Sequence, residues 1–224
     1  MAKEFYLPLT KIKIDRFLFL LLSLLFLFVL HPFMEGLMGL RLLMDAFVTF
    51  ILISGVYAVS EKKSIFIFAL ALALPTLAGS WSVHFLESPA FHLMGKVSGA
   101  LFFAVTAITL ISHLFKAKDI TSDTIIGAIC AYFLIGLMWA YVYAILEISH
   151  PGTFHISQDG SLGSQSFMYY SFVTITTLGY GDIIPLTSQA RSLSLLEAVF
   201  GQIYLAVIVA RLVGIQITQS MEGK

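Results

Sequence analysis

The run Thr177-Leu178-Gly179-Tyr180-Gly181-Asp182 combines residue types that can do chemistry with backbone rather than with side chains. Glycine at alternate positions permits the unusual backbone angles needed to aim successive carbonyl oxygens at one axis. Carbonyls so aimed can replace the water shell of an ion. Ahead of the run, residues 166–176 (SFMYYSFVTIT) are apolar and predict about three helical turns, roughly 16 Å at 1.5 Å per residue. That is enough to enter a bilayer and too short to cross about 30 Å of hydrocarbon. The partly negative carboxyl end of such a helix, pointed into the membrane, stabilises a cation. Backbone that is not helical is tolerated at membrane depth where it is packed in protein or lines a water-filled cavity, so a short re-entrant helix followed by glycines should line a pore.

The elements that must hold this segment are membrane helices. Of 224 residues, 58% are hydrophobic and 12% charged, against roughly 45–50% and 25% in an ordinary soluble domain. Six apolar segments, 17–34, 42–59, 64–83, 97–114, 125–146 and 192–213, approach the length a spanning helix needs. The first follows Lys11, Lys13 and Arg16 as a signal peptide would, but His31-Pro32 stands where small residues should mark a cleavage site, which reads as a retained helix. With a cytoplasmic amino terminus, ten basic residues (Lys3, Lys11, Lys13, Arg16, Lys62, Lys63, Lys116, Lys118, Arg211, Lys224) fall on the cytoplasmic side and three (Arg41, Lys96, Arg191) on the other. That bias places both termini in the cytoplasm of a multi-pass plasma-membrane protein. Thirteen Lys+Arg cancel thirteen Asp+Glu, so no field attracts nucleic acid. Residues 149–165, rich in turn signals such as Pro151-Gly152 and Asp159-Gly160, read as an exposed outer loop.

Thr174-Ile175-Thr176-Thr177-Leu178-Gly179-Tyr180-Gly181-Asp182 resembles the selectivity-filter signature TxxTVGYGD of tetrameric potassium channels, departing from it at Leu178. The resemblance covers about 100 residues, from the fifth span to the end of the chain. It implies an all-α membrane protein of six transmembrane helices, a re-entrant pore helix and a filter of Thr177, Leu178, Gly179, Tyr180 and Gly181, with K+ coordinated at Thr177, Leu178, Gly179 and Tyr180. Leu178 would turn its side chain from the axis while its carbonyl faces the ion. Rings of carbonyls come from four filter loops; this chain has one signature, so three identical subunits are its expected partners, with lipid around them. In the family, Tyr169 and Tyr170 occupy the places of an aromatic pair that braces the filter tyrosine, here Tyr180. Asp182 would concentrate cations at the outer mouth or tie the filter to the re-entrant helix, Thr174 opens the signature beneath the filter, and Gly201 stands at the spacing of an inner-helix hinge, although a glycine that allows close helix packing reads equally well.

The resulting organisation is an N-terminal cytoplasmic or interfacial segment (1–16), a four-helix domain resembling a voltage sensor without gating charges (17–118), a pore domain (119–216) and a short tail (217–224). The fourth span has no Arg or Lys, with Lys96 preceding it and His113 at its end, so steep voltage gating is not expected. Ten residues after Gly214 are too few for a ligand-sensing domain. Glu197 and Arg211 lie inside the last span, where ionisable groups must face protein or water. Glu197, one turn above Gly201, either buttresses the filter, behind which the family often has an acidic residue at the position that is Val173 here, or is hydrogen-bonded within the subunit interface. Arg211 either snorkels to the interface or pairs with Asp119 or Asp123. His150 and His155 read as solvated loop residues, Cys130 as membrane core, and Trp81 and Trp139 as packing or anchoring residues. No cofactor and no catalysis are implied. Gly179-Tyr180-Gly181-Asp182 also fits the Gly-x-Gly-Asp pattern of intramembrane aspartyl proteases, but the Tyr-Asp pair those enzymes carry in an earlier span is absent, and potassium transporters of the related repeat type carry several filter segments where this chain has one.

Overall fold

Helix formation here follows from uninterrupted apolar sequence, because a chain in lipid must satisfy its own N–H and C=O groups. The computed structural model describes residues 16–33, 40–58, 63–82, 89–117, 119–156 and 163–222. The N-terminal segment up to residue 15, the side chains of Arg16 and Arg41, Lys62, Lys118, Lys224 and the turn at Asp159-Gly160 lie outside the described residues.

Seven helices are described: α1 (Arg16–Phe33), α2 (Leu40–Ala58), α3 (Lys63–Ser82), α4 (Pro89–Lys116), α5 (Ser122–Ser149), α6 (Ser164–Ile175) and α7 (Ser188–Glu222). Four of them, α3, α4, α5 and α7, are long and apolar enough to cross a membrane, whereas α1 and α2 carry shorter apolar stretches at Phe17–Val29 and Val48–Ala58. Two short strands, β1 (Phe154–Ile156) and β2 (Ile183–Pro185), pair antiparallel with His155 opposite Ile184. The stretch expected as open loop is thus partly a strand. Phe154 is buried between α5 and α6, and the Glu147 carboxylate gathers the preceding turn by accepting from Gly152 N (2.8 Å) and Phe154 N (3.0 Å).

α4 begins at Pro89, two turns earlier than its apolar run predicts, so Lys96 lies inside the helix rather than before it. Proline suits a first helical turn, where its missing N–H has no partner to lose. The Lys96 ammonium lies 4.7 Å from the centre of the Tyr141 ring on α5, a cation–π contact that offsets part of the cost of a charge on an apolar helix.

The first four helices pack beside α5 of the same chain. Leu20, Leu24, Ile51, Leu52, Phe102, Phe103 and Leu134 form its buried centre. α3 and α4 cross at Gly79 and Gly95, each with the other's backbone where a Cβ would stand, the small-residue contact that lets membrane helices approach closely. Cys130 is buried in this domain with Sγ 3.4 Å from the Phe17 carbonyl. α5 is capped by Thr121 and Thr124, each hydroxyl taking the other's backbone N–H at 3.3 Å, which fixes where the helix begins.

Candidate functional site

The short helix α6 and the run that follows it are held in place by α5 and α7. Phe154 and Tyr170 pack edge to face with Tyr143 and with each other, Phe167 packs edge to face with Phe154, and Tyr143 stacks on Trp139. Such offset and T-shaped pairs add roughly 0.5–1.5 kcal/mol each beyond the area they bury. On the other side of α6, Phe172 sits where Gly136 leaves room for its ring and meets Phe28 of α1 at 4.4 Å and Phe133 of α5 at 5.7 Å. The four-helix domain therefore touches α6 directly.

At the end of α6 the backbone changes character. Thr177 (φ 59°), Gly179 (φ 58°) and Gly181 (φ 78°) are left-handed, and the intervening Leu178 and Tyr180 are not. For a β-branched residue such as Thr177 this conformation costs of order 1–3 kcal/mol and persists where surroundings impose it. The imposition is visible in the hydrogen bonds. The Val173 carbonyl accepts from Leu178 N (2.9 Å) and Gly179 N (3.2 Å), and the Thr174 carbonyl accepts from Thr177 N (2.9 Å). Alternating handedness lines successive N–H groups up on one side of a chain and leaves the carbonyls for the other. Here the N–H side faces the carboxyl end of α6.

Asp182 closes the run. It accepts the Tyr169 hydroxyl at 2.7 Å and the Ile183 N–H at 3.1 Å, and the Tyr169 ring lies parallel to that of Tyr180 at 6.5 Å. Tyr170 turns the opposite way: its hydroxyl is 2.6 Å from Ser194 on α7, and Ser194 donates to the Ala190 carbonyl. Of the two adjacent tyrosines, Tyr169 meets the Tyr180 ring and Tyr170 anchors α6 to the neighbouring helices. Thr174 hydrogen-bonds the Tyr170 carbonyl at 2.8 Å.

Glu197 is 0% exposed. Its carboxylate accepts the Tyr143 hydroxyl of α5 and the Ser171 hydroxyl of α6, both at 2.5 Å, and Ser171 is also 2.7 Å from the Gly136 carbonyl. Glu197 thus joins three helices within its own chain, on the buried face of α6. Ser171 and Tyr143, which carry no motif in the sequence, are its partners; a hydroxyl in each of two apolar helices facing a lone intramembrane carboxylate is the signal that would have found them. Tyr132 of α5 adds a hydroxyl 3.3 Å from the Ile175 carbonyl.

Gly201 sits against α6 as well. A Cβ there would meet the Ile175 carbonyl and side chain, so the glycine is accounted for by close approach, and α7 runs helical through it. Arg211 turns to neither Asp119 nor Asp123 but donates to the carbonyls of Leu114, Phe115 and Ala117. His150 and His155 are exposed. Among the described residues no group of three His, Cys, Asp or Glu is placed to hold a metal ion.

Comparison with known proteins agrees with this geometry. Residues 148–218, which contain β1, α6, the left-handed run and most of α7, match the family model described as "Ion channel" (Ion_trans_2). Over 128 residues the chain is 26% identical to Protein LctB of Bacillus caldotenax, an alignment covering 55% of this chain and 94% of that protein. No solved structure matches significantly. The matched stretch, set among long apolar helices, makes this a multi-pass membrane protein that carries an ion-channel domain.

Proposed function

We propose that the protein is a homotetrameric, potassium-selective channel that lets K+ move passively down its gradient. The observation that carries this reading is the backbone of residues 177–181, left-handed at every second position, with the N–H groups of Thr177, Leu178 and Gly179 tied to the end of α6. Its carbonyls are thereby free to replace water around a dehydrated cation, in a field favoured by the α6 carboxyl end. In this account the carbonyls of Thr177, Leu178, Gly179 and Tyr180 and the Thr177 hydroxyl coordinate K+, and ions in adjacent sites push one another through. Gly181 gives the turn that leads out to Asp182.

Four chains are needed, because one strand cannot encircle an ion. The side of α7 bearing Leu196, Val199, Phe200, Ile203 and Val207 is exposed in the single chain, an apolar surface suited to neighbouring subunits and the pore wall. Six spans with both termini cytoplasmic, in the plasma membrane, complete the arrangement. With Lys96 engaged by Tyr141 and no ladder of basic residues along α4, opening is not steeply voltage-driven.

The test is reconstitution of the purified chain into potassium-loaded liposomes, with native mass spectrometry of the same sample. A tetramer that releases K+ in a barium-sensitive manner is expected; a monomer or dimer, or barium-insensitive release of Na+ and K+ alike, would refute the proposal.

A further inference from the structure

The last turn of an α-helix leaves carbonyls without intrahelical donors, and in a membrane water does not supply the missing partners. At the end of α4 the donor comes from far along the chain. The Arg211 guanidinium of α7 reaches the Leu114 carbonyl through Nε (3.2 Å) and the carbonyls of Phe115 (2.5 Å) and Ala117 (3.2 Å) through Nη2. It also lies 4.9 Å from the centre of the Phe115 ring. A cation at a helix carboxyl end is favoured by the helix dipole, and the planar fork of arginine suits several carbonyls at once where the point charge of lysine does not.

Other contacts along the same seam run in the same direction. Tyr204 donates to the Ala128 carbonyl at 2.6 Å, Leu114, Ala128 and Ile208 are buried together, and Gln219 reaches Asp119 at 3.2 Å. One turn above Tyr204, Gly201 rests on α6. The inner helix is therefore fixed at one level to the re-entrant segment and at another to the corner where the four-helix domain turns into α5.

We infer that Arg211 is a positioning residue for the inner helix: by capping α4 it ties the pore-lining helix to the four-helix domain, so that displacement of the α4 end is passed to α7. The inference rests on the conduction reading above. It gives the four-helix domain a mechanical route to the pore although α4 bears no ladder of gating charges.

The full chain is examined as wild type, Arg211→Gln, Arg211→Lys and Phe115→Leu, by hydrogen–deuterium exchange of residues 111–117 in lipid nanodiscs and by single-channel recording. For Arg211→Gln, exchange at the end of α4 should rise about tenfold or more, and open probability should change at least about fivefold, with unit conductance and reversal potential unchanged. Arg211→Lys and Phe115→Leu should shift both readouts the same way by smaller factors, and they carry the test if Arg211→Gln does not assemble. Unaltered exchange overturns the cap. Faster exchange with unaltered open probability overturns the positioning role. A wild-type protein that passes no current removes the conduction reading and this inference with it, while the exchange data still judge the cap separately.

Discussion

Ser171 of the re-entrant helix and Glu197 of the inner helix meet at 2.5 Å, both shielded from solvent, and Tyr143 completes the contact from the third helix at the same distance. The relationship fixes α6, and with it the carbonyls of Val173 and Thr174 that receive the N–H groups of Thr177, Leu178 and Gly179, against two helices long and apolar enough to cross a membrane. The buttressing expected of Glu197 would run through α6, because the carboxylate meets Ser171 and Tyr143 rather than residues 177–181.

Removing that carboxylate leaves the buried Tyr143 hydroxyl short of its acceptor and opens a void beside it, while Ser171 keeps the Gly136 carbonyl at 2.7 Å. Glu197→Ala should cost about 2–3 kcal/mol per chain, lowering the thermal midpoint of the assembled protein and speeding decay of current in sustained recordings. Glu197→Gln, which keeps one oxygen for Tyr143, should do the same to a smaller degree. Stability and current decay indistinguishable from wild type in both variants would contradict the buttress.

The left-handed residues give a second prediction. Gly181 has φ 78° with nothing within 4 Å of a Cβ position, so Gly181→Ala meets no steric neighbour in the chain and its penalty is conformational, roughly 1–2 kcal/mol per chain. Membrane insertion should be retained while K+ flux from liposomes falls at least about tenfold. Full flux from this variant would mean that the handedness of the backbone does not matter to conduction.

Two glycines of α7 make a matched pair. Gly201→Ala places a methyl group against the Ile175 carbonyl, where backbone must yield, and should destabilise by about 1–3 kcal/mol. Gly214 has open space around its Cβ position, so Gly214→Ala should be neutral or stabilise by up to about 1 kcal/mol through helix propensity. Thermal melts of the two variants in one detergent check the ordering, and equal effects would contradict close packing as the reason for Gly201.

Voltage dependence follows from α4. Lys96 lies within the helix but on the Tyr141 ring, so a conductance–voltage curve should be shallow, equivalent to about one elementary charge or less per chain at 2.3 kcal/mol per charge per 100 mV. A curve needing several charges per chain would show that α4 moves charge by some other means.

The helices were legible in the sequence because lipid imposes one rule on backbone polar groups, and the apolar runs report it with boundaries shifted by a few residues. α4 and α7 depart further: α4 starts at Pro89 and takes in Lys96, whose place on the Tyr141 ring depends on another helix, and α7 runs on to Glu222 past the end of its apolar run. The strand at Phe154–Ile156 was hidden in turn-rich sequence, although Phe and Ile alternate there about His155, because its partner β2 lies beyond the re-entrant segment. At the site, the run 177–182 was visible as a pattern, and Tyr169 meets Tyr180 and Asp182 in the structure. Its supports were less so: the opposite orientation of Tyr170, the role of Ser171 and Tyr143 beside Glu197, and the turn of Arg211 to the α4 carbonyls all depend on which faces of three helices come together.

The measurement that bears most directly on the central claim is the reversal potential of the reconstituted protein in a planar bilayer with K+ on one side and Na+ on the other. A value near the potassium equilibrium potential, with block by barium, is the predicted result. Equal permeability to the two ions would contradict the assignment of residues 177–181 as a potassium filter.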